Sequence, residues 1–326
     1  MNISVIIPVY GVEKYIERCA RSLFSQTLQE GIEFLFIDDC TPDDSMQILR
    51  QVLAQYPHRQ SQTQLLRMRQ NSGSAVVRQY GIQKATGEYI AFVDSDDWVN
   101  ETMYEKMYNK AKKDNLDLVI CNFHKMLEKE NNELEEIEPD YKLKYFEDTV
   151  LKDKPELLLE VNLAPWNKLY KKELLSGVEF PEKLKYEDAI VVVKAMARAK
   201  KIGMVDEKIN YYLVRSKSET TVMDKKVYDI LEITKMIIKE LKSHDYYDDI
   251  KAYVEAMTIR NLFRYTIQQK YQKDKKIRND FIDKVFNYLN DEFPKWKSNK
   301  IWKQRNFLKR MIEGSKVLTK IYCWLP

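Results

Sequence analysis

Three carboxylates stand within four residues at Asp94-Ser95-Asp96-Asp97, directly after the apolar run Glu88–Val93. Like charges this close repel unless a cation lies between them. Mg²⁺ and Mn²⁺ favour carboxylate and phosphate oxygens, and a bound diphosphate could complete the shell around one or two protein ligands. The competing reading is an acidic first turn for the next helix, which the helix dipole favours anyway. Asp38-Asp39 follows a second apolar run, Ile32–Ile37, where a carboxylate can accept hydrogen bonds from a base or a ribose. Glu187-Asp188 follows a polar loop and precedes an apolar helical run; a carboxylate there, in a cleft, could act as a general base. By itself an acidic pair at a helix start is mostly capping. Trp166-Asn167-Lys168 alone reads as packing.

The elements that must position these groups alternate along the first 120 residues. Strands are expected at Ile3–Val9 and Ile32–Ile37, short apolar runs of the kind buried on both faces, and at Gln64–Met68, Glu88–Val93 and Leu116–Cys121. Helices are expected at Glu13–Gln26, from Thr41-Pro42 (N-cap and N1) to Gln55, at Ser74–Ala85 and at Glu101–Asp114. Such βα repeats argue for a mainly parallel sheet flanked by helices, with ligands beyond the carboxyl ends of the strands. Tyr10-Gly11, Asp38-Asp39, Asn71-Ser72-Gly73 and Asp94–Asp97 all fall at those ends. Neither the dinucleotide fingerprint GxGxxG nor the P-loop lysine motif is present.

Further along, charged Lys125–Asp148 is expected to be a loop or an excursion on the surface and Ala164–Leu175 a short helix or turn. A loop enters a helix near Tyr186 that runs to Ala199, then a strand covers Lys208–Val214 and a polar loop Arg215–Thr221. From Lys225 helical periodicity dominates, broken at Pro294.

Composition bounds the answer. The chain has 326 residues, 44% of them hydrophobic, which excludes wholesale disorder. The net charge of +4 hides an uneven distribution: Lys270–Pro326 holds 15 Lys and Arg against 6 Asp and Glu, the rest 39 against 44. Cys19, Cys40, Cys121 and Cys323 form no CxxC pair, so zinc and disulfide frameworks are improbable. The first apolar run is too short for a signal peptide, and no window reaches about 18 apolar residues. A cytoplasmic protein is expected.

Taken together and in order, SVIIPVYGVEKYI, FLFIDDCTPDDS, NSGSAVVRQYGI, GEYIAFVDSDDW, APWNKLYKKEL and KYEDAI resemble the family 2 glycosyltransferases of the GT-A fold, of the kind that build bacterial capsule, O-antigen or exopolysaccharide. The resemblance covers about residues 1–221. It implies a GT-A domain over 1–221, with a nucleotide-sugar half at 1–120 and an acceptor half at 121–221, followed by a helical, basic region at 222–326. It implies a UDP-sugar donor, an inverting transfer to a glycan or polyprenyl-linked acceptor, and Mn²⁺ or Mg²⁺. By position, Pro8, Val9, Tyr10 and Glu13 border the nucleotide, Asp39 meets the uracil, and Asn71 and Arg78 close over it. Asp94, with Ser95, lies nearer the ribose. Asp96 is the metal ligand, with Asp97 beside it. Asp188 is the catalytic base, with Glu187 before it, and Trp166 and Lys168 flank the acceptor side. Departures are Gly11 where relatives carry Asn, Asp39-Cys40-Thr41 for DDGS, Val77-Arg78-Gln79 for ARN, and Arg215 near a position where many relatives have His. Arg215 is expected to pair with phosphate directly.

The basic tail interleaves Trp296, Trp302 and Trp324 with Lys295, Lys297, Lys300, Lys303, Arg305, Lys309 and Arg310. Two readings stay open: an anchoring surface for anionic lipid at the inner face of the membrane, or a helical domain that packs on the catalytic domain or makes a homodimer. Nucleic acid is disfavoured, because no recognition motif accompanies the charge. For the whole chain, the alternatives to a transferase are a catalytically idle nucleotide-sugar-binding or partner protein, and a glycoside hydrolase.

Overall fold

The computed structural model describes residues 1–139, 143–215 and 225–324. Four of the apolar runs form the parallel part of a sheet. β1 (Ile3–Val9) lies between β2 (Ile32–Asp38) and β4 (Tyr89–Phe92), and β2 pairs in turn with β3 (Thr63–Arg67). Every residue of β2 and β4 is buried. Helices α1 (Ile16–Phe24), α2 (Ser45–Ala54) and α3 (Ser74–Lys84) connect these strands. α1 turns Ile16, Cys19, Ala20, Leu23 and Phe24 inward, as its spacing predicts. The approach of α3 to the sheet requires a glycine: a Cβ on Gly81 would lie 2.4 Å from the Ile6 side chain.

The second part of the sheet is mixed. After the two-residue strand β5 (Trp98–Val99) and helix α4 (Met103–Asp114) come β6 (Leu118–Glu128) and β7 (Leu134–Ile137), which pair as an antiparallel hairpin. Two later strands join them, β8 (Lys168–Lys171) and β9 (Ile202–Val214). Among the described residues the sheet has nine strands in the order β3-β2-β1-β4-β8-β6-β9-β5, with β7 attached to β6. β8 is antiparallel to both β4 and β6.

Three expectations are corrected here. The charged stretch from Lys125 is strand rather than loop up to Glu128, and again at Leu134–Ile137. Its charges face solvent along an exposed hairpin, so polarity masked the strand. Lys168–Lys171 is a strand and not a helix or turn, because β4 and β6 both offer it backbone partners. Thr41 does not cap α2, which starts at Ser45; its hydroxyl instead accepts from Gly11 N–H and donates to Asp43. The polar loop expected after Arg215 lies outside the described residues.

The chain divides into two compact units. The first holds the whole sheet and its helices α1–α4 and α6 (Asp188–Arg198). The second gathers Lys152–Glu160, which contains α5 (Leu157–Glu160), Leu184–Tyr186, and the helices α7 (Asp229–Lys242), α8 (Tyr247–Gln268), α9 (Lys275–Glu292), α10 (Lys300–Lys303), α11 (Phe307–Gly314) and α12 (Lys316–Trp324). α9 stops at Glu292, two residues short of Pro294, as proline demands. Trp296 and Trp302 are both buried, in an aromatic cluster with Phe263 and Phe286, and the ammonium of exposed Lys297 lies 5.4 Å over the Trp296 ring. No helix among the described residues is long and apolar enough to cross a membrane.

Candidate active site

The parallel register fixes the site's floor. Val9 sits opposite Asp38, so Pro8–Tyr10 and Asp38-Asp39 leave adjacent strands at one edge, and Asp94 leaves β4 two residues beyond its end. Val9, Asp39 and Ser95 are buried, Pro8 is partly so, and Tyr10 is half exposed. Gly11 adopts φ +66°, a left-handed conformation that Gly takes freely and Asn tolerates, which accounts for the exchange of one for the other. Glu13 is exposed, and its carboxylate accepts from the N–H of Asp44. Asp39 accepts from the N–H groups of Ser72 and Gly73, at 2.7 and 2.8 Å. That pair clamps the loop carrying exposed Asn71 to the end of β2.

Arg78 is the hub. It lies on α3, is 4% exposed, and reaches three carboxylates. Its Nη2 donates to Asp94 Oδ1 at 2.7 Å, and its Nη1 donates to Asp188 Oδ1 at 2.8 Å and to Glu187 Oε1 at 3.4 Å. Burial works against the guanidinium charge, but Asp188, Asp94 and Glu187 outweigh it and keep Arg78 firmly protonated. Ser74 also donates to Glu187. Asp188 opens α6, and the residue two before it, Tyr186, is held at φ +70°, an uncommon conformation for a bulky side chain. Burial pushes the Asp188 carboxyl up to about 8, against the pull of Arg78, with Glu187 and Asp94 adding to the rise. Its side chain still keeps 26% of its surface exposed.

A second cation lies at the other end of the acidic turn. Arg215, one residue past β9, places Nη2 2.6 Å from Asp96 Oδ2. Its guanidinium also lies 5.0 Å over the ring of Tyr15, whose hydroxyl donates to Glu128. The neighbouring Asp97 is buried; it accepts from Leu213 N–H at 2.7 Å and so ties the acidic turn to the end of β9. Burial raises the Asp96 carboxyl, partly offset by Arg215, and burial with Asp96 and Asp94 raises Asp97 further. Arg18 completes the surround. It donates to the Asp96 carbonyl at 3.2 Å and stacks on Trp98, 3.7 Å from the ring centroid. Arg18 and Tyr15 were not singled out from the sequence. Their signal is a cation and an aromatic three apart on α1, which lie on one helix face.

Trp166 and Lys168 are both buried. The Lys168 ammonium donates to the carbonyls of Asn162 and Ala164 and to Asn167 Oδ1, all at 2.6–2.7 Å, and burial lowers its pKa to about 7. Trp166 stacks on Tyr212 and meets Phe123 edge-on. Their geometry is that of a buried brace beside β8 rather than of a surface.

The oxygen-only donor set suits a hard cation. Among the described residues no cluster of three or more His, Cys, Asp or Glu is arranged to hold a metal. Asp94 pairs with Arg78, Asp97 with the N–H of Leu213 and Asp96 with Arg215, so a cation at this turn would have to share or displace one of these partners and take its remaining oxygens from a ligand.

A mixed sheet with a parallel βα half, flanking helices and an acidic turn at a strand end defines a GT-A fold. Residues 4–177 match the sequence model described as Glycosyl transferase family 2, and the chain belongs to that family. It is 30% identical to the uncharacterized glycosyltransferase EpsJ of Bacillus subtilis, over 70% of this chain and 65% of that protein. It is 31% identical to the poly(ribitol-phosphate) beta-glucosyltransferase of Bacillus spizizenii, over 67% of this chain but 33% of that longer protein. The structure of residues 1–349 of S. aureus TarS in complex with UDP-GlcNAc superimposes with a TM-score of 0.79 at 21% identity, covering 99% of this chain and 90% of that one.

Proposed function

We propose that the chain transfers a sugar from a UDP-sugar to a hydroxyl of a glycan or lipid-linked acceptor, with inversion at the anomeric carbon. The observation that carries this reading is the joining of Asp94 at the β4 end to Asp188 at the α6 start through the single guanidinium of Arg78. The donor half is taken as residues 1–120 and the acceptor half as 121–221. Similarity to a protein bound to UDP-GlcNAc supports a uridine diphosphate donor, and similarity to a poly(ribitol-phosphate) transferase supports a polymeric acceptor.

In this reading Pro8–Tyr10, Glu13, Asp39 and Asn71 frame the nucleotide, Asp94 and Ser95 meet the ribose side, and Asp96 would hold Mn²⁺ or Mg²⁺. When bound, such an ion supplies Lewis-acid stabilisation of the departing diphosphate. Asp188 accepts the proton of the attacking hydroxyl while the acceptor oxygen bonds to the anomeric carbon and the bond to the diphosphate breaks. Arg78 orients that carboxylate, and Glu187 shares the guanidinium. Arg215 exchanges Asp96 for a diphosphate oxygen when the donor arrives.

The test is a panel of UDP-sugars with Mn²⁺ or Mg²⁺, read as UDP release with and without acceptor, beside a thermal-shift assay. UDP with Mn²⁺ should stabilise the protein more than either alone. Absence of stabilisation by any uridine nucleotide, with no UDP released from any donor, would overturn the reading.

A further inference from the structure

Seven of the thirteen large apolar side chains that stand exposed among the described residues fall in the last two helices: Phe307, Leu308 and Met311 on α11, and Val317, Leu318, Ile321 and Trp324 on α12. They are not scattered. Spacings of i, i+1, i+4 on α11 and i, i+1, i+4, i+7 on α12 put each set on one helix face. The opposite faces are anchored within the second unit. On α11, buried Glu313 pairs with Arg305 at 3.0 Å and accepts from the Trp302 indole. On α12, Thr319 and Cys323 are buried, the Cys323 carbonyl accepts from Arg278, and Lys316 and Lys320 both reach Asp283. Each helix is thus fixed by one face and turns a wholly apolar face outward.

Charge selects the occupant. Lys295–Trp324 carries nine Lys and Arg against one acid, Glu313, and that acid is buried. A second copy would bring two cationic rims together, which disfavours self-association. Nucleic acid would match the charge but not the aliphatic stripe, which offers no rings for bases apart from Phe307 and Trp324. Amphipathic helices with aliphatic and aromatic residues on one face and Lys and Arg around it lie in the interface of an anionic bilayer, the apolar face sunk to the acyl boundary.

We propose that the outward face of α11 and α12 docks the protein on an anionic phospholipid surface. Phe307, Leu308, Met311, Val317, Leu318, Ile321 and Trp324 insert, while Lys303, Lys309 and Arg310 meet lipid headgroups. Docking requires neither sugar donor nor metal, so it stands or falls separately from the transferase reading.

The test uses the 326-residue chain and vesicles of phosphatidylcholine with or without phosphatidylglycerol. Trp324 is a local reporter, since Trp166, Trp296 and Trp302 are buried and Trp98 is sandwiched between Arg18 and Tyr211. Expected are co-sedimentation with phosphatidylglycerol vesicles only, and a blue shift of emission that Trp324→Phe removes. Replacing Leu308 and Val317, each 66% exposed, by Ser should cut partitioning by roughly tenfold, with the fold retained in circular dichroism. Lys309→Glu with Arg310→Glu should weaken binding further at low salt than at high salt. Equal partitioning of the serine variant, no preference for phosphatidylglycerol, or concentration-dependent dimers abolished by the serine substitutions would overturn the proposal.

Discussion

Arg215 holds Asp96 at 2.6 Å, so the carboxylate proposed to hold a divalent cation already has a cation of its own. The arrangement is anchored, because Asp97 takes the backbone N–H of Leu213, two residues before Arg215. In the proposed reading a metal would compete with the guanidinium for one oxygen, and a diphosphate would relieve the competition by accepting Arg215 itself.

Removal of Arg215 should therefore have opposite effects on two ligands. Arg215→Ala is expected to raise the affinity for Mn²⁺ in the absence of nucleotide by about tenfold, about 1.4 kcal/mol, and to lower metal-free UDP affinity by a similar factor. Titration calorimetry measures both. An unchanged Mn²⁺ affinity would show that the ion pair does not guard Asp96.

Asp188→Asn should abolish proton acceptance while keeping the shape of the site. A positioned base contributes roughly 10²–10⁴ in rate, so kcat is expected to fall by about that factor. The Kd for UDP with Mn²⁺ should stay within about twofold, since the donor groups lie elsewhere. Full transfer activity in this variant would remove Asp188 from the mechanism.

The pH profile follows from the surroundings of Asp188: Arg78 favours its charge, while burial, Glu187 and Asp94 oppose it. With the carboxyl raised to about 8, most of it is protonated at neutral pH, and the basic form appears as pH rises through that value. kcat/KM should climb about tenfold between pH 7 and a plateau above about pH 9. A profile flat from pH 6 to 9 would contradict the poised base.

Arg78 carries a structural burden besides. Arg78→Ala leaves Asp94, Glu187 and Asp188 facing one another without a counter-charge, which should cost about 3–5 kcal/mol. Measured above about pH 9, where Asp188 carries its charge, adding Asp188→Asn should return at least about 1 kcal/mol of that loss, because one uncompensated charge disappears. Denaturant melts of the two single variants and the double variant measure the coupling; strict additivity would mean the two side chains do not share an ion pair.

Much of this site was legible in the chain. The runs Ile3–Val9, Ile32–Asp38 and Tyr89–Phe92 are strands because continuous apolar residues suit burial on both faces, and their ends announce Asp39 and Asp94. The sequence also determined the family, through six ordered motifs, and the excess of cations in the last third. Partnership was decided only in three dimensions. That Arg78 meets the candidate base depends on α6 reaching α3, 110 residues apart in the chain. Lys168 reads from the sequence as packing, but only the fold supplies the carbonyls of Asn162 and Ala164 and the Asn167 amide oxygen that claim its ammonium. For Trp296 and Trp302 the sequence left a lipid surface and a packed helical domain both open; they are core, while the exposed face belongs to Leu308, Val317 and Ile321, apolar residues that periodicity alone would bury. The physical reason is common to all three. Local spacing sets which residues share a face of a helix or strand, but only the docking of distant elements sets which faces find a partner.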